Sequence, residues 1–451
     1  MRIAVVGCGH VGLVTGVCLA SLGQHVLCVD RDLERIRLLQ ESSLPIYEPH
    51  LDELFLHSRS AGELAFSGDT GNAASNVDVV FLCVGVPQLE NGTSDFSALD
   101  SAARQIARSV QSPKLVVVLS TVPVQTGNQL KHLLTVYAAN PQARFCVASN
   151  PQFLREGTAV EGFLHPDRIL LGVEDSASEK TLRHIYAPVL DQNFRCPIHL
   201  EKCPPRKPPE LLITGVESAE LIKHASNAFL AVKISYANVL ADLCERLGAD
   251  VQEVTRAVGL DQRIGPRFLE PGIGFGGPRL PKDLAAFCRL ADRTGVEAGI
   301  HHAAQGVNRG RIDHFFEKVQ RSLWVLKDKR IGFLGLAHKA DTDDVRGSPA
   351  IELLKRLTAA GAQVRAYDPR AMNQARSVLP DLACGADAYD VAGHADALVV
   401  ATDWDEFLKL DWKRIRDVMA RPAVFDGRNL LSPPQMRALG FEYYSVGRPG
   451  S

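Results

Sequence analysis

The sequence predicts an α/β protein in which two doubly wound domains are joined by a central helical domain with a long helix. Short apolar runs alternate with helical patterns over the first part of the chain, which is typical of a parallel sheet covered by helices. A long helical pattern follows at residues 218–247, and the strand–glycine pattern restarts at residues 330–336. A length of 451 residues also fits two or three domains.

The first lobe begins with an apolar strand at residues 1–7, a helix with apolar positions from Val11 to Cys18, and a second strand at residues 25–30. Strand, helix and strand within about 30 residues predict a βαβ unit, since parallel strands need a crossover. Further buried strands are predicted at residues 77–84, 115–120 and 145–149. Residues 201–210 contain four prolines, which predict a connection or surface loop.

The helical pattern at residues 218–247 is longer than one small domain needs. It therefore predicts a helix that bridges domains or forms a subunit interface, and we expect a homodimer or a higher oligomer. The last lobe again alternates strands and helices, with strands predicted at residues 330–336, 363–368 and 395–401. The predicted domains are residues 1–205, 206–325 and 326–451.

Composition excludes several classes of function. Lys plus Arg is 50 and Asp plus Glu is 52, so a general attraction to nucleic acid or to acidic membrane surfaces is not expected. The apolar runs are too short to span a bilayer, and no secretory signal is visible. The ten cysteines form no CxxC pair, and the histidines show no zinc-binding spacing. We predict a cytoplasmic protein with reduced thiols and no metal.

A glycine motif follows the first strand. Gly7, Gly9 and Gly12 fit the pattern GxGxxG at the start of a helix, where backbone N–H groups and the helix N-terminus can hold a pyrophosphate. Asp30 ends the second strand, where an acidic side chain accepts hydrogen bonds from a ribose. The context predicts a Rossmann-like domain that prefers NAD to NADP, although Arg31 weakens that preference. A turn that binds no phosphate is the alternative.

Together with this turn, the motifs of the chain resemble those of the UDP-glucose and GDP-mannose dehydrogenase family. They occur in family order over nearly the whole chain, at residues 46–49 (IYEP), 120–124 (STVPV), 150–157 (NPQFLREG), 219–223 (AELIK), 227–230 (NAFL), 263–265 (RIG), 335–339 (GLAHK), 342–346 (TDDVR), 367–369 (YDP), 402–404 (TDW) and 426–429 (DGRN). The resemblance implies an NAD domain, a central dimerising domain and a C-terminal domain for the nucleotide sugar.

The resemblance also implies a reaction, and the sequence departs from it. Family enzymes oxidise a sugar alcohol to a carboxylate with two NAD, and the cysteine of a GGSCxPKD motif forms a thioester. Residues 276–283 read GGPRLPKD, so Arg279 stands at the position of the nucleophile, and a guanidinium cannot act as one. Gln152 replaces an acid linked to thioester turnover. Val86 and Gln125 replace a threonine and a glycine on cofactor-side loops.

By resemblance, individual residues take three roles. The catalytic candidates are Lys223, Asn227, Asp283, Glu156 and Thr121. The cofactor-binding candidates are Gly7, Gly9, His10, Val11, Gly12, Asp30, Arg35, Val84, Gly85, Ser120, Thr121 and Arg346. The substrate-binding candidates are Phe153, Leu154, Arg155, Lys223, Asn227, Arg263, Phe268, Leu269, Gly276, Arg279 and Lys339.

Some of these residues also have structural interpretations. Lys223 and Asn227 share one helix face at i,i+4 spacing, but Lys223 could be a solvated helix residue. Asp283 could be the N-cap of a helix that begins at Leu284. Arg279 either marks only the loss of the cysteine or clamps an oxygen-rich substrate.

The departures predict an NAD-dependent oxidoreductase that oxidises a UDP- or GDP-linked sugar by one hydride transfer without thioester chemistry. One alternative is a redox-neutral dehydratase or epimerase that retains NAD and returns the hydride. Another is a non-catalytic protein that binds nucleotide sugars. The acid-forming reaction would need a distant thiol, such as Cys288 or Cys83, to enter the site.

Overall fold

The structure is a computed structural model that describes residues 1–87, 89, 93–198 and 207–449. The chain forms two compact units, Met1–His224 and Ala225–Ser451. The domain boundaries predicted at residues 205 and 325 remain a prediction.

The first unit alternates strands and helices. Its strands are β1 (Arg2–Val6), β2 (His25–Val29), β3 (Leu64–Ser67), β4 (Val79–Leu82), β5 (Lys114–Val118), β6 (Phe145–Ser149), β7 (Arg168–Gly172) and β8 (Glu210–Thr214). Its helices are α1 (His10–Ser21), α2 (Leu33–Gln40), α3 (Leu51–Ser60), α4 (Thr70–Ser75), α5 (Ser97–Ser109), α6 (Thr126–Val136), α7 (Ala159–Leu164) and α8 (Ser176–Leu190).

These eight strands form one sheet in the order β3-β2-β1-β4-β5-β6-β7-β8. Every residue of β4 and β5 is buried, as expected for strands covered by helices on both faces. All neighbours are parallel except β6 and β7, whose antiparallel pairing joins Ser149 to Gly172. The strand order reverses between β1 and β4, the position at which doubly wound sheets bind ligands.

Residues 207–247 include a strand that the sequence did not predict and a helix that it did. Strand β8 was not predicted, because its alternating exposed and half-buried residues follow a proline-rich run. The predicted loop at residues 201–210 lies largely outside the described residues. The helical pattern at residues 218–247 is confirmed as α9 (Val216–Leu247), a helix of 32 residues.

The second unit contains the remaining elements. Its helices after α9 are α10 (Val251–Gly259), α11 (Leu280–Thr294), α12 (Gly299–Leu323), α13 (Pro349–Ala359), α14 (Met372–Val378), α15 (Ala388–Ala392), α16 (Asp405–Leu408), α17 (Trp412–Val418) and α18 (Pro433–Ala438). Its strands are β9 (Arg330–Leu334), β10 (Gln363–Tyr367), β11 (Ala383–Cys384), β12 (Ala397–Val400), β13 (Ala423–Asp426) and β14 (Glu442–Tyr444).

The second sheet is wholly parallel, in the order β11-β10-β9-β12-β13-β14. Its core includes the fully buried aromatic rings of Phe333, Phe407 and Phe425. The two parallel-type sheets and the long helix confirm the predicted fold class. Within the described part of the chain, no helix has both the length and the apolarity needed to cross a bilayer.

Candidate functional site

The glycine turn after β1 allows another group to approach its backbone closely. Gly7 has a φ of +104°, and a Cβ on it would lie 2.8 Å from the carbonyl carbon of Cys83. A Cβ on Gly12 would lie 1.8 Å from the carbonyl oxygen of Gly7, so α1 packs against the turn only with glycine there. Nothing lies within 4 Å of a Cβ built on Gly9, beside the N-terminus of α1. These residues fit the pyrophosphate of a dinucleotide.

The carboxylate of Asp30 lies directly after β2 and is buried. Its Oδ2 accepts hydrogen bonds from the Cys8 N–H at 2.7 Å and from Nη1 of Arg35 at 3.2 Å. Its Oδ1 accepts one from the Asp32 N–H at 3.0 Å. Because a carboxylate has about four acceptor positions, one remains for a ribose hydroxyl. The predicted cofactor residues Asp30 and Arg35 are thus brought together.

The loops after β4 and β5 lie at the same edge of the sheet as this turn, since β1, β4 and β5 are consecutive parallel strands. Val84 and Gly85 follow β4, and Ser120 and Thr121 follow β5. The Ser120 hydroxyl donates to the Val84 carbonyl oxygen at 2.6 Å, which joins the two loops. These four predicted cofactor residues therefore lie at the switch point of the sheet.

The first turns of α9 hold the loop before α6. Glu220 accepts hydrogen bonds from the N–H groups of Gln125 at 2.7 Å and Gly127 at 2.8 Å. His224 contributes a hydrogen bond of 2.7 Å to the Val122 carbonyl oxygen. Burial raises the pKa of Glu220 to about 7. Gln125, which replaces a glycine of the family motif, has a φ of +77°, a conformation that favours glycine.

Gln152 belongs to a hydrogen-bonded group under the loop that follows β6. Its Nε2 lies 3.0 Å from Oδ1 of Asn150, 3.3 Å from the Asn150 carbonyl oxygen and 3.5 Å from the Tyr186 hydroxyl. Tyr186 donates to the same Asn150 Oδ1 at 2.5 Å. These acceptors require an N–H donor, which the amide of Gln152 provides and a carboxylate lacks.

The ring of Phe153 is in contact with two cations. The guanidinium of Arg168 is 4.1 Å from the centre of its ring, and the Lys223 ammonium is 4.9 Å from it. Lys223 is only 4 % exposed, so its interpretation as a solvated helix residue is wrong. Cation–π contacts of this kind orient a buried ammonium group. The structure thus brings together the predicted Phe153 and Lys223 and adds Arg168, which was not among the predicted site residues.

The residues that follow Phe153 divide between interior and surface. Leu154 and Glu156 are buried, whereas Arg155 is exposed. The turn after them is held by Glu48, which accepts hydrogen bonds from the N–H groups of Gly157 and Ala159 and from His10. Sequence reasoning noted the motif at residues 46–49 but assigned no role to Glu48. Glu48 lies in a loop, and the sequence gives no sign that its side chain is buried.

In the second unit, Asn227 and Asp283 form a pair. Nδ2 of Asn227 donates to Oδ2 of Asp283 at 2.5 Å, and Asp283 is 1 % exposed. The interpretation of Asp283 as an N-cap is wrong, because α11 begins earlier, at Leu280, with Pro281 in its first turn. Asp283 therefore lies within the first turn of α11, where an acidic side chain is favoured by the helix dipole.

Arg279 is the N-cap residue of α11 and is half-buried. Cys288 lies on the same helix, about two and a half turns further on, which places its side chain on the opposite side. It is buried against Ala228, Ala231 and Leu284, and burial raises the pKa of its thiol. Burial likewise lowers the pKa of Lys282.

The predicted substrate residues of the second unit occupy different environments. Leu269 is buried next to Phe268, which has a φ of +65°. A Cβ on Gly276 would lie 2.1 Å from the Gly347 carbonyl oxygen. The guanidinium of Arg263 is exposed and paired with Asp261. Lys339 is half-buried.

Sequence reasoning also assigned no role to Arg428, although its motif was noted. Arg428 is half-buried and donates to the carbonyl oxygens of Ala401 at 2.9 Å, His338 at 3.1 Å and Gly274 at 3.4 Å. It therefore fixes three loops of the second unit against one another.

Arg346 lines a cleft of about 410 Å³ between α12 and α13. Its guanidinium pairs with Asp344, with Nε and Nη2 on the two carboxylate oxygens. Arg309 and Lys355 also line the cleft, which gives it cationic walls. A group with phosphate or carboxylate oxygens fits such walls.

Three family models match the chain. The NAD binding domain, the central domain and the UDP binding domain of the UDP-glucose/GDP-mannose dehydrogenase family match residues 1–190, 217–310 and 332–433. A UDP-glucose 6-dehydrogenase of Rhizobium meliloti is 41% identical over 100% of both chains. One of Bacillus subtilis is 38% identical over 99% of this chain and 98% of its own. The structure of a UDP-glucose dehydrogenase from Pyrobaculum islandicum superposes with a TM-score of 0.89 at 35% identity, covering 99% of this chain and 98% of that one.

Proposed function

Because the chain belongs to the UDP-glucose/GDP-mannose dehydrogenase family, with an NAD binding domain and a UDP binding domain, we propose that it oxidises a UDP-linked hexose with NAD by one hydride transfer per turnover. The product is a carbonyl compound rather than an acid. The names of the relatives favour UDP-glucose as the sugar. They also favour net oxidation over the dehydratase or epimerase alternative.

One observation carries the proposal: Arg279 occupies the N-cap of α11, at the position where the family resemblance implies the thioester-forming cysteine. A guanidinium keeps its proton and has no lone pair to attack an aldehyde. Without that attack no thiohemiacetal forms, and the second hydride has no precursor.

The other described thiols are poor substitutes for this cysteine. Burial raises the pKa of Cys83 and of Cys288, the two thiols that the acid-forming reaction would need to bring into the site. The thiolate is the nucleophilic form, so a raised pKa lowers its population. Gln152 points the same way, because its amide donates to Asn150 and cannot exchange a proton during thioester hydrolysis.

The residues of the first unit can serve the remaining half-reaction. NAD, when bound by Gly7, Gly9, Gly12 and Asp30, supplies the hydride acceptor. The buried ammonium of Lys223, oriented by Phe153, can hold the substrate oxygen on which negative charge develops. In the second unit, the Asn227 amide fixes the Asp283 carboxylate, which can accept a proton or hold a water molecule.

A second candidate is the complete oxidation of UDP-glucose to its acid. The 41% identity over the full length of a UDP-glucose 6-dehydrogenase favours it. The third possibility, a protein that binds the ligands without catalysis, is opposed by the retention of Lys223, Asn227 and Asp283.

The test is the product from UDP-glucose and NAD, measured as NADH formed per sugar consumed and as product mass. We expect one NADH per sugar and a product that hydroxylamine traps as an oxime. Two NADH per sugar with an acid product would support the second candidate. Binding of both ligands without NADH would support the third.

An Arg279→Cys variant, with Arg279→Ser as its control, sharpens this test. A thiol at a helix N-terminus has a lowered pKa and is reactive. We expect the yield of NADH per sugar to rise above one only in the cysteine variant. Equal yields from both variants would show that the missing thiol does not limit the reaction.

We also propose that α9 mediates self-association. Phe229, Tyr236 and Leu243 are 62%, 51% and 48% exposed, and they recur at the seven-residue spacing of a helix–helix seam. We expect Tyr236→Glu to lower the molar mass measured by light scattering to that of one chain. An unchanged mass would place the interface elsewhere.

A further inference from the structure

The carboxylate of Glu48 is buried in the first unit, at 2 % exposure, and none of the functions described above uses it. Its Oε1 accepts the N–H of Ala159 at 2.6 Å. Its Oε2 accepts the N–H of Gly157 at 2.8 Å and lies 2.8 Å from Nε2 of His10. Burial of a carboxylate is strongly unfavourable unless such donors satisfy it. Nε2 of His10 is the donor in this contact, since an ionised carboxylate only accepts.

The first partner of Glu48, His10, lies next to the proposed cofactor site. His10 is the first residue of α1, directly after the glycine turn that fits a pyrophosphate. Its side chain is only 13% exposed, so the imidazole is fixed between the turn and Glu48. A phosphate that binds at the N-terminus of α1 will therefore restrict His10 as well.

The other partners of Glu48, Gly157 and Ala159, lie next to the proposed sugar site. Gly157 follows Phe153 and Glu156 within one short loop, and Ala159 is the first residue of α7. Phe153 contacts the ammonium of Lys223. Gly157 has a φ of +82°, so the turn has a conformation that other residues rarely adopt. The N-cap residue of α7, Thr158, makes no side-chain capping hydrogen bond, and Glu48 supplies the acceptor for this end of the helix instead.

We infer that Glu48 is a positioning residue that couples the binding of the dinucleotide to the binding of the sugar. This inference rests on the proposed function for the identity of the sugar and for its place beside Phe153 and Lys223. A bound dinucleotide fixes His10, and Glu48 transmits the constraint to the turn at residues 157–159. The sugar then binds to a loop that has already lost part of its conformational entropy. By linkage, each ligand increases the affinity for the other by the same factor.

The experiment compares the full-length wild type with Glu48→Gln and His10→Phe. Glu48→Gln replaces an acceptor by a donor that faces two N–H groups, and His10→Phe removes the donor but leaves both backbone contacts. Asp175→Asn is the matched control, because Asp175 caps α8 in the same unit through Ser178 and does not contact His10. If Glu48→Gln fails to fold, His10→Phe carries the test alone.

Hydrogen exchange of the Gly157 and Ala159 amides, with and without NADH, is the first measurement and needs no turnover. We expect NADH to slow exchange about tenfold in the wild type and in the control. We expect no such slowing in the two variants. NADH-dependent protection that persists in the variants, or that is absent from the wild type, would overturn the inference.

Calorimetry with UDP-glucose is the second measurement. We expect NADH to tighten UDP-glucose binding by roughly tenfold in the wild type and hardly at all in the variants, which would appear as a raised KM with a smaller change in kcat. Equal tightening in the variants would contradict the coupling. If UDP-glucose does not bind but NADH still protects the two amides, the identity of the sugar is wrong, whereas the link from the dinucleotide through Glu48 to the turn at residues 157–159 is supported.

Discussion

The turn after β1 and the loop before α11 each depend on a glycine that allows close contact with a backbone carbonyl oxygen. In the first, a Cβ on Gly12 would meet the Gly7 carbonyl oxygen at 1.8 Å. In the second, a Cβ on Gly276 would meet the Gly347 carbonyl oxygen at 2.1 Å. The first loop retains all the features expected of a dinucleotide turn, whereas the second has Arg279 where the family resemblance predicts a cysteine.

The comparison separates two kinds of constraint. A steric requirement at glycine belongs to the fold, and it persists whatever chemistry the neighbouring side chain performs. The reactive side chain is constrained only by the reaction. The glycine contact of the loop before α11 therefore does not depend on which side chain stands at position 279.

The largest effect is expected from adding a side chain at either of the two glycines that contact a backbone oxygen, Gly12 and Gly276. Gly12→Ala and Gly276→Ala each place a methyl group within the contact distance of a backbone oxygen. We expect Gly12→Ala to weaken NADH binding by about a hundredfold or more, since both the turn and α1 must move. Fluorescence titration measures the affinity of Gly12→Ala for NADH. A binding assay with UDP-glucose measures the affinity of Gly276→Ala for the sugar nucleotide.

Gly162→Ala is the control for these variants, because nothing lies within 4 Å of a Cβ built there. It should leave NADH binding unchanged. Normal NADH affinity in Gly12→Ala would show that the turn does not hold the dinucleotide.

The next effect tests the chemistry that remains beside the intact turn. Lys223→Met keeps much of the side-chain volume but removes the ammonium that lies over Phe153. Loss of one group that stabilises developing charge typically lowers kcat by about a hundredfold or more. Steady-state kinetics should show this loss with little change in the affinity for NADH. A kcat within a factor of a few of the wild type would remove Lys223 from the mechanism.

A smaller effect is expected at Gln152, the second position at which the sequence departs from the family motif. Gln152→Glu would direct a carboxylate at the two oxygens of Asn150, which lowers the free energy of unfolding by about 1–3 kcal/mol. Its folded-state pKa would be raised, so the loss should grow as pH rises above the ordinary pKa of Glu, about 4.3. Urea denaturation at two pH values measures it, with the exposed Gln129→Glu as control. A wild-type stability at neutral pH would contradict the assignment.

The smallest effect concerns the pH dependence of the first unit. Burial raises the pKa of Glu220 from 4.5 to about 7. The folded state thus binds more protons than the unfolded state between these values, and the stability that this group contributes is complete below pH 4.5 and is lost as pH rises through about 7. We expect Glu220→Gln to flatten this dependence by about 1–2 kcal/mol, measured as the unfolding midpoint against pH. An unchanged slope would show that another group causes it.

Local patterns predicted much of the fold. Strand β6 was predicted at its observed bounds, Phe145–Ser149, because its apolar run is continuous. The helix start at Leu284, given as an alternative for Asp283, lies four residues after the observed start of α11 at Leu280, whose first turn contains Pro281. Strand β8 was missed because its residues are only partly buried and show no continuous apolar run.

The candidate site divides in the same way. The sequence by itself determined the dinucleotide turn, because Gly7, Gly9, Gly12 and Asp30 act within one contiguous βαβ unit and their steric role is local. Through the family resemblance it also predicts a change of chemistry at Arg279, because a guanidinium cannot act as a nucleophile.

Only the tertiary structure decided which side chains are buried and what they contact. Glu48 reaches Gly157 and Ala159 across 109 and 111 residues of sequence. Lys223, Phe153 and Arg168 meet through three separate elements. Such contacts depend on how distant elements pack, and local propensity carries no information about them because each partner alone has an ordinary solvated alternative.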